Sequence, residues 1–212
     1  MAETEPVQTL KPVVVGLTGA SGSILGFRLV KCLLEANQPV EMVLSQKSLP
    51  VIHEELDLKL SAGPDRVPQL LGYLNLPEDK AALLRFFDNN DLGAACSSGS
   101  HLTRGMVIIP CSMGTLGRIA AGVTDNLVAR SADVALKEQR KLILVPRECP
   151  LNAIHLKNML TLSQCGAVIL PPMLTFYRKD FHSLDGQINY TIGKVLDHLG
   201  QEHTLHQRWG EH

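Results

Sequence analysis

Three segments of this sequence gather glycines, hydroxyls and an arginine–glutamate pair just after short apolar runs. The first is Gly16-Leu17-Thr18-Gly19-Ala20-Ser21-Gly22, behind Val13-Val14-Val15. A strand that feeds a helix through glycines leaves backbone N–H groups unpaired, and the helix dipole favours an anion there. Ser21 adds a hydroxyl. The spacing is G-x-x-G-x-S-G and not the dinucleotide pattern G-x-G-x-x-G. The segment therefore points to a mononucleotide or another phosphate, or else to a tight structural turn.

The second segment is Pro110-Cys111-Ser112-Met113-Gly114-Thr115-Leu116, which follows Met106-Val107-Ile108-Ile109. Ser112 and Thr115 can donate to a ligand. Cys111 is either a nucleophile or a small residue packed beneath the ligand, and no base lies near it in sequence. The third segment is Pro146-Arg147-Glu148-Cys149-Pro150-Leu151. The guanidinium of Arg147 suits phosphate. Glu148 is a proton-transfer group if burial raises its pKa; the alternative is a surface ion pair. Tyr177, Lys194 and Trp209 join a site only if the pocket closes over them. The eight histidines are scattered. His203 and His206 have a metal-like spacing without a carboxylate-rich context and read as solvated tail residues. His155 reads as a structural helix residue. No metal is expected.

These segments need a scaffold that aligns strand ends. Strands are expected at 13–15, 40–44, 106–109, 142–145 and 167–170. Helices are expected at 24–36, 48–56, from Thr124 or Asp125 to about 140, from Pro150 to Gln164, and at 184–199. The alternation predicts an α/β fold: a doubly wound, Rossmann-like (flavodoxin-like) parallel sheet with helices on both faces. Ligands of such sheets bind beyond the strands' carboxyl ends, where all three segments fall. Residues 59–105 carry Pro64, Pro68 and Pro77 and read as an excursion with a short helix near 78–87. One domain over 12–200 is expected, with a flexible lead at 1–11 and a tail at 201–212 that docks near the site.

The 212 residues carry a formal net charge of -1, so there is no broad basic field for nucleic acid or an anionic membrane surface. No apolar run approaches the roughly 20 residues that cross a bilayer. The five cysteines form no CxxC pair and read as reduced thiols. A cytoplasmic protein is expected. Charged residues make up 19%, low enough to suggest that surface is covered in subunit contacts.

Taken together, these residues resemble the flavin prenyltransferase (UbiX) family. The motifs that carry the resemblance are Thr18-Gly-Ala-Ser-Gly22, Ser98-Gly-Ser100, Pro110-Cys-Ser-Met-Gly-Thr115, Asn126-Leu127, Ala132-Asp-Val-Ala-Leu-Lys-Glu138, Val145-Pro-Arg-Glu148, Ile154-His-Leu-Lys-Asn-Met-Leu160, Gly166-Ala-Val-Ile-Leu-Pro171, Phe176-Tyr177 and Arg208-Trp-Gly-Glu211. The resemblance implies transfer of a dimethylallyl group from dimethylallyl phosphate to N5 and C6 of reduced FMN, without a metal. It implies a product, prenylated FMN, that serves UbiD-type decarboxylases, including those of ubiquinone biosynthesis. It also implies a homo-oligomer, a dodecamer, with sites between subunits.

By matching motif, the resemblance assigns Gly19, Ala20, Ser21, Ser45, Ser112, Met113, Gly114, Thr115 and Arg147 to FMN. Tyr177 and Lys194 would hold dimethylallyl phosphate, with Lys137 and Arg147 sharing the task of stabilising the departing phosphate. Glu148 would move the proton near the flavin. Ser21, Glu55, Lys137 and Trp209 match further active-site positions. The match at Lys194 departs most, because some relatives carry arginine there and one residue is inserted between Tyr177 and Lys194. Two other readings stand beside this one: a flavoprotein decarboxylase of a peptidyl cysteine, whose early-helix histidine this sequence lacks, and a non-catalytic FMN-binding protein.

Overall fold

The computed structural model describes residues 10–177, 179–207 and 210. Its elements run β1 (Val13–Leu17), α1 (Ser23–Glu35), β2 (Val40–Leu44), α2 (Ser48–Leu56), α3 (Arg66–Leu74), β3 (Leu84–Asp88), β4 (Gly105–Cys111), α4 (Met113–Ala120), α5 (Leu127–Lys137), β5 (Leu142–Pro146), α6 (Ala153–Gln164), β6 (Val168–Ile169) and α7 (Leu184–Leu199). All strand pairs are parallel, in the order β3-β2-β1-β4-β5-β6. The order reverses between β1 and β4, the topological switch point where such sheets bind ligands.

Every residue of β1, β2, β4 and β5 is buried, because helices cover both faces. The side chains alternate between two cores. Val13, Val15, Leu17, Met42, Val107, Ile109, Ile143 and Val145 meet α1, α3 and α7 on one face. Val14, Val43, Met106, Ile108, Leu142 and Leu144 meet α4 and α5 on the other. This is the period-two alternation of a strand buried on both sides.

The stretch 59–105 differs from its reading. It contains α3, with Leu70, Leu71 and Leu74 buried. Pro68 lies in the first turn of that helix, where its missing N–H costs nothing. The helix expected at 78–87 is a 3-10 segment over Glu78–Leu83 that gives way to the edge strand β3. Two helix starts also shift. Asn126, and neither Thr124 nor Asp125, caps α5 by accepting from the Ala129 amide. Asn152, and not Pro150, opens α6, where the ring of His155 completes a capping box.

The tail does not follow its solvated reading either. His203 is almost fully covered, and its Nε2 lies 3.2 Å from Asp197 Oδ1 on α7. The Leu205 amide donates to His203 Nδ1 at 3.3 Å, which makes Nε2 the protonated nitrogen of the neutral ring. Asp197, His203 and His206 lie close enough together to suit a cation. Yet that tautomer spends the nitrogen a metal would need on Asp197. The cluster is a clasp that holds residues 203–206 against α7.

Candidate active site

Four loops meet at the carboxyl edge of the sheet, and one threonine ties two of them. Thr18 is buried after β1. Its hydroxyl donates to Pro110 O at 2.8 Å and accepts from the Ser112 amide at 2.7 Å. The loop after β2 joins through Ser45 N, which donates to Leu17 O at 2.9 Å. The loop after β5 joins twice: Arg147 N donates to Cys111 O at 3.2 Å and Arg147 Nε to Ser21 O at 3.3 Å. Gly19 lies so close under Lys47 that a Cβ would collide with the Lys47 side chain and carbonyl. The residues assigned to FMN at 19–21, 45, 112–115 and 147 therefore share one edge.

The helix start behind the glycine-rich turn is already filled. Glu55, on α2, accepts from the Gly22 amide at 2.9 and 3.1 Å and from the Ser23 amide at 2.8 Å. Partial burial pushes its pKa up. The hydrogen bonds from the Ser21 hydroxyl and the Ser23 and Gly22 amides outweigh that and leave it below the usual carboxylate range. A phosphate on these amides would meet a carboxylate, so the anion site expected at the start of α1 is displaced.

The start of α4 has the opposite character. Ser112 caps it, accepting from Thr115 N at 3.3 Å while its hydroxyl donates to Thr115 Oγ1 at 3.0 Å. The first turn of α4 carries no acidic residue, so its dipole is uncompensated there. On the same edge, at the end of β2, Ser45 Oγ is buried and has no hydrogen-bond partner among the described residues. An open helix N-terminus and a buried orphan hydroxyl on one sheet edge fit a phosphate-bearing ligand such as FMN.

Glu148 is exposed, and its Oε1 accepts from Cys149 N at 3.1 Å. Cys111 is fully buried, and burial pushes its thiol up to about 12. A thiol so hard to ionise is no nucleophile, so the packing reading of Cys111 holds.

The remaining assigned residues do not gather here within one chain. α5 starts beside Asn89, just after β3 ends, where Leu127 N donates to Asn89 O. It runs 11 residues, about 16 Å, back toward the amino edge of the sheet. Lys137, at its far end, pairs with Glu138. Lys194 is exposed on α7, on the opposite face of the sheet, with Nζ 4.0 Å from Asp197 Oδ2. Tyr177 is 77% exposed on the segment beyond β6. Trp209 lies outside the described residues. Sequence reasoning missed Thr18 as the tie between loops; its one legible signal was a polar residue directly after a fully apolar strand.

The parallel sheet, the switch-point site and the phosphate-fitting helix start define a flavoprotein of Rossmann-like topology. The family model described as Flavoprotein matches residues 1–196. The flavin prenyltransferase UbiX of Alkalihalophilus pseudofirmus is 48% identical over 201 residues, covering 95% of this chain and 97% of the relative. The chain belongs to the UbiX flavin prenyltransferase family.

Two solved structures are similar throughout. AnUbiX (PadA1) in complex with FMN and dimethylallyl pyrophosphate superposes with a TM-score of 0.82 at 36% identity, covering 95% of this chain and 98% of that one. A dodecameric FMN-dependent UbiX-like decarboxylase from Escherichia coli O157:H7 gives 0.81 at 39% identity, covering 94% and 100%. Among the described residues, no helix is long and apolar enough to cross a membrane.

Proposed function

We propose that this chain is a flavin prenyltransferase that joins the dimethylallyl group of dimethylallyl phosphate to N5 and C6 of reduced FMN and releases phosphate. The observation that carries the reading is the four-loop edge, where the open start of α4 adjoins the Arg147–Glu148 pair and the orphan Ser45 hydroxyl lies on the same edge. When bound, reduced FMN supplies the two nucleophilic ring positions. Ser45 and Ser112 to Thr115 hold its phosphate. Gly19, Ala20 and Ser21 form a wall, fixed by Glu55 and by Arg147 Nε.

Arg147 turns its remaining nitrogens toward the departing phosphate. Lys137, Lys194 and Tyr177 share that charge, since a phosphate monoester leaves poorly without cationic or hydrogen-bonding help. Trp209 offers a π face to the electron-poor allyl group. Glu148 would give a proton to the allyl double bond, which opens its far carbon to attack by C6, and would take back the proton that C6 then loses.

The placement of Lys137 at the other edge of the sheet favours a site completed by a neighbouring subunit. The exposed apolar residues of α6, Ile154, Leu156 and Leu160, give such a neighbour a surface to cover. A dodecamer is the proposed assembly. The product serves a UbiD-type decarboxylase, as in ubiquinone biosynthesis. Free cysteines, including the exposed Cys149 and Cys165, suit the reducing cytoplasm.

The direct test is anaerobic incubation of the purified protein with reduced FMN and dimethylallyl phosphate, followed by mass spectrometry of the released flavin. A flavin heavier by one dimethylallyl group, with stoichiometric inorganic phosphate, is expected. Recovery of unmodified FMN alone from folded, FMN-binding protein would sink the reading.

A further inference from the structure

Glu41 is a buried carboxylate within the sheet, on the strand next to its edge. It sits in β2, in register with Val14 of β1 and Arg85 of β3, and is 6% exposed. A β-branched apolar residue would suit this position, because an unpaired buried carboxylate is expensive. Its partner is His101, whose Nε2 lies 2.9 and 3.1 Å from the two carboxylate oxygens.

His101 ends the loop that contains Ser98, Gly99 and Ser100. That loop is held from three sides. Arg130 Nε donates to Ser97 O at 3.2 Å. Arg140 donates to His101 O at 2.7 Å and also to Gly99 O. Glu41 holds the His101 ring. The loop so fixed packs directly under Lys137: a Cβ at Gly99 would collide with Lys137 Nζ and with Glu138 Oε1. Arg140 spends two donors on loop carbonyls, Arg130 divides its donors between Ser97 O and Asp133, and the Ser98 and Ser100 hydroxyls bond each other, so the loop is fixed with Gly99 against the Lys137 ammonium.

We infer that Glu41 and His101 are positioning residues: the buried pair sets the 97–101 loop against Lys137 and so fixes where that ammonium meets the allyl phosphate. The inference rests on the proposed role of Lys137. A chain that needed only a stable sheet has no use for a buried carboxylate here. A chain that must hold a surface loop in register with a lysine across the core does. Neither residue touches substrate; both act through the loop.

The test combines kinetics with a chemical probe of Lys137. His101→Ala is expected to raise the KM for dimethylallyl phosphate about tenfold, the scale of a small misplacement of a binding group. FMN affinity, read by fluorescence titration, should stay within about twofold, because the FMN loops lie at the opposite edge. His101→Gln, whose amide can still donate to Glu41, should restore most of the loss. Reductive methylation of Lys137, followed by peptide mass spectrometry, should quicken in His101→Ala.

Unchanged KM and unchanged Lys137 labelling in His101→Ala would overturn the inference. So would a parallel loss of FMN affinity, KM and thermal stability that His101→Gln does not rescue, which would mark the pair as merely structural. Wild-type protein that makes no prenylated flavin would overturn the catalytic reading, and the labelling rates would still decide whether the pair positions Lys137.

Discussion

Glu55 reaches from α2 to the start of α1 and accepts the Gly22 amide with both carboxylate oxygens, at 2.9 and 3.1 Å. A glycine-rich turn that reads as a phosphate cradle is thereby capped from within the chain. The next helix start in the switch-point crevice, that of α4, has no acidic residue in its first turn and is left open to an anion.

This cap makes stability depend on pH in a defined direction. The pKa of Glu55 is held below its ordinary value of 4.5, so the group contributes stability above that value and loses it as pH falls through the lowered one. Glu55→Gln should cost about 0.5 kcal/mol at pH 7, a modest figure because water screens the exposed part of the pair. The gap between the melting temperatures of variant and wild type should close as pH drops below 4.5. A gap that persists unchanged to strongly acid pH would show that the charge on Glu55 is not what stabilises the turn.

At α4 the capping and phosphate-binding roles of Ser112 can be separated. Ser112→Ala should lower the stability of the FMN-free protein by about 1 kcal/mol and weaken FMN. Ser112→Asp keeps a good cap and should recover most of that stability, yet bind FMN worse than the alanine variant, because it sets a carboxylate against the phosphate. Calorimetry and FMN titration of both variants read the two effects apart. Equal FMN affinity in the two would remove the phosphate from this helix start.

Arg147 uses Nε on Ser21 O and so has two further nitrogens for ligand. Lysine has one ammonium and cannot hold the turn and the ligand in the same geometry. Arg147→Lys should lower kcat/KM for dimethylallyl phosphate about tenfold or more, equivalent to ~1.4 kcal/mol. The melting temperature should barely move, since the side chain is exposed. Steady-state phosphate release measures the first and calorimetry the second.

Burial sets a clear expectation for Cys111. With its thiol pushed up to about 12, iodoacetamide at pH 8 should label it only after denaturation. Cys111→Ala should keep turnover within about twofold, with stability reduced by the small cavity left. Large loss of turnover without loss of FMN binding would restore the nucleophile reading.

The alternating fold was legible because β1, β2, β4 and β5 are buried on both faces and read as short apolar runs between periodic helices. Strand β3 was not legible. It is an edge strand of mixed burial, Leu-Arg-Phe-Phe-Asp, and its alternation is too short to stand out beside a 3-10 segment. α3 was hidden by Pro68, which looks like a breaker until the helix start is known. Arg147 and Ser112 could be placed on the ligand edge because each directly follows a strand. The Glu55 cap and the Glu41–His101 pair could not. They join residues 33 and 60 positions apart, and no local pattern marks either contact.

The same topology decides where Lys137 must act. It lies at the end of α5 nearest the strands' amino edge, whereas Glu148 lies beyond β5 at the carboxyl edge. If both serve one reaction, they come from different subunits. Lys137→Ala and Glu148→Gln should each abolish most prenylation alone. Unfolded together at equal amounts and reassembled, they should recover about a quarter of wild-type activity, because a quarter of randomly formed sites then draw an intact Lys137 from one chain and an intact Glu148 from its neighbour. Chains that carry both substitutions, mixed with an equal amount of wild type, should give the same quarter. Mixed singles that stay inactive while that control recovers half would place both residues in one subunit's site and overturn the shared-site reading.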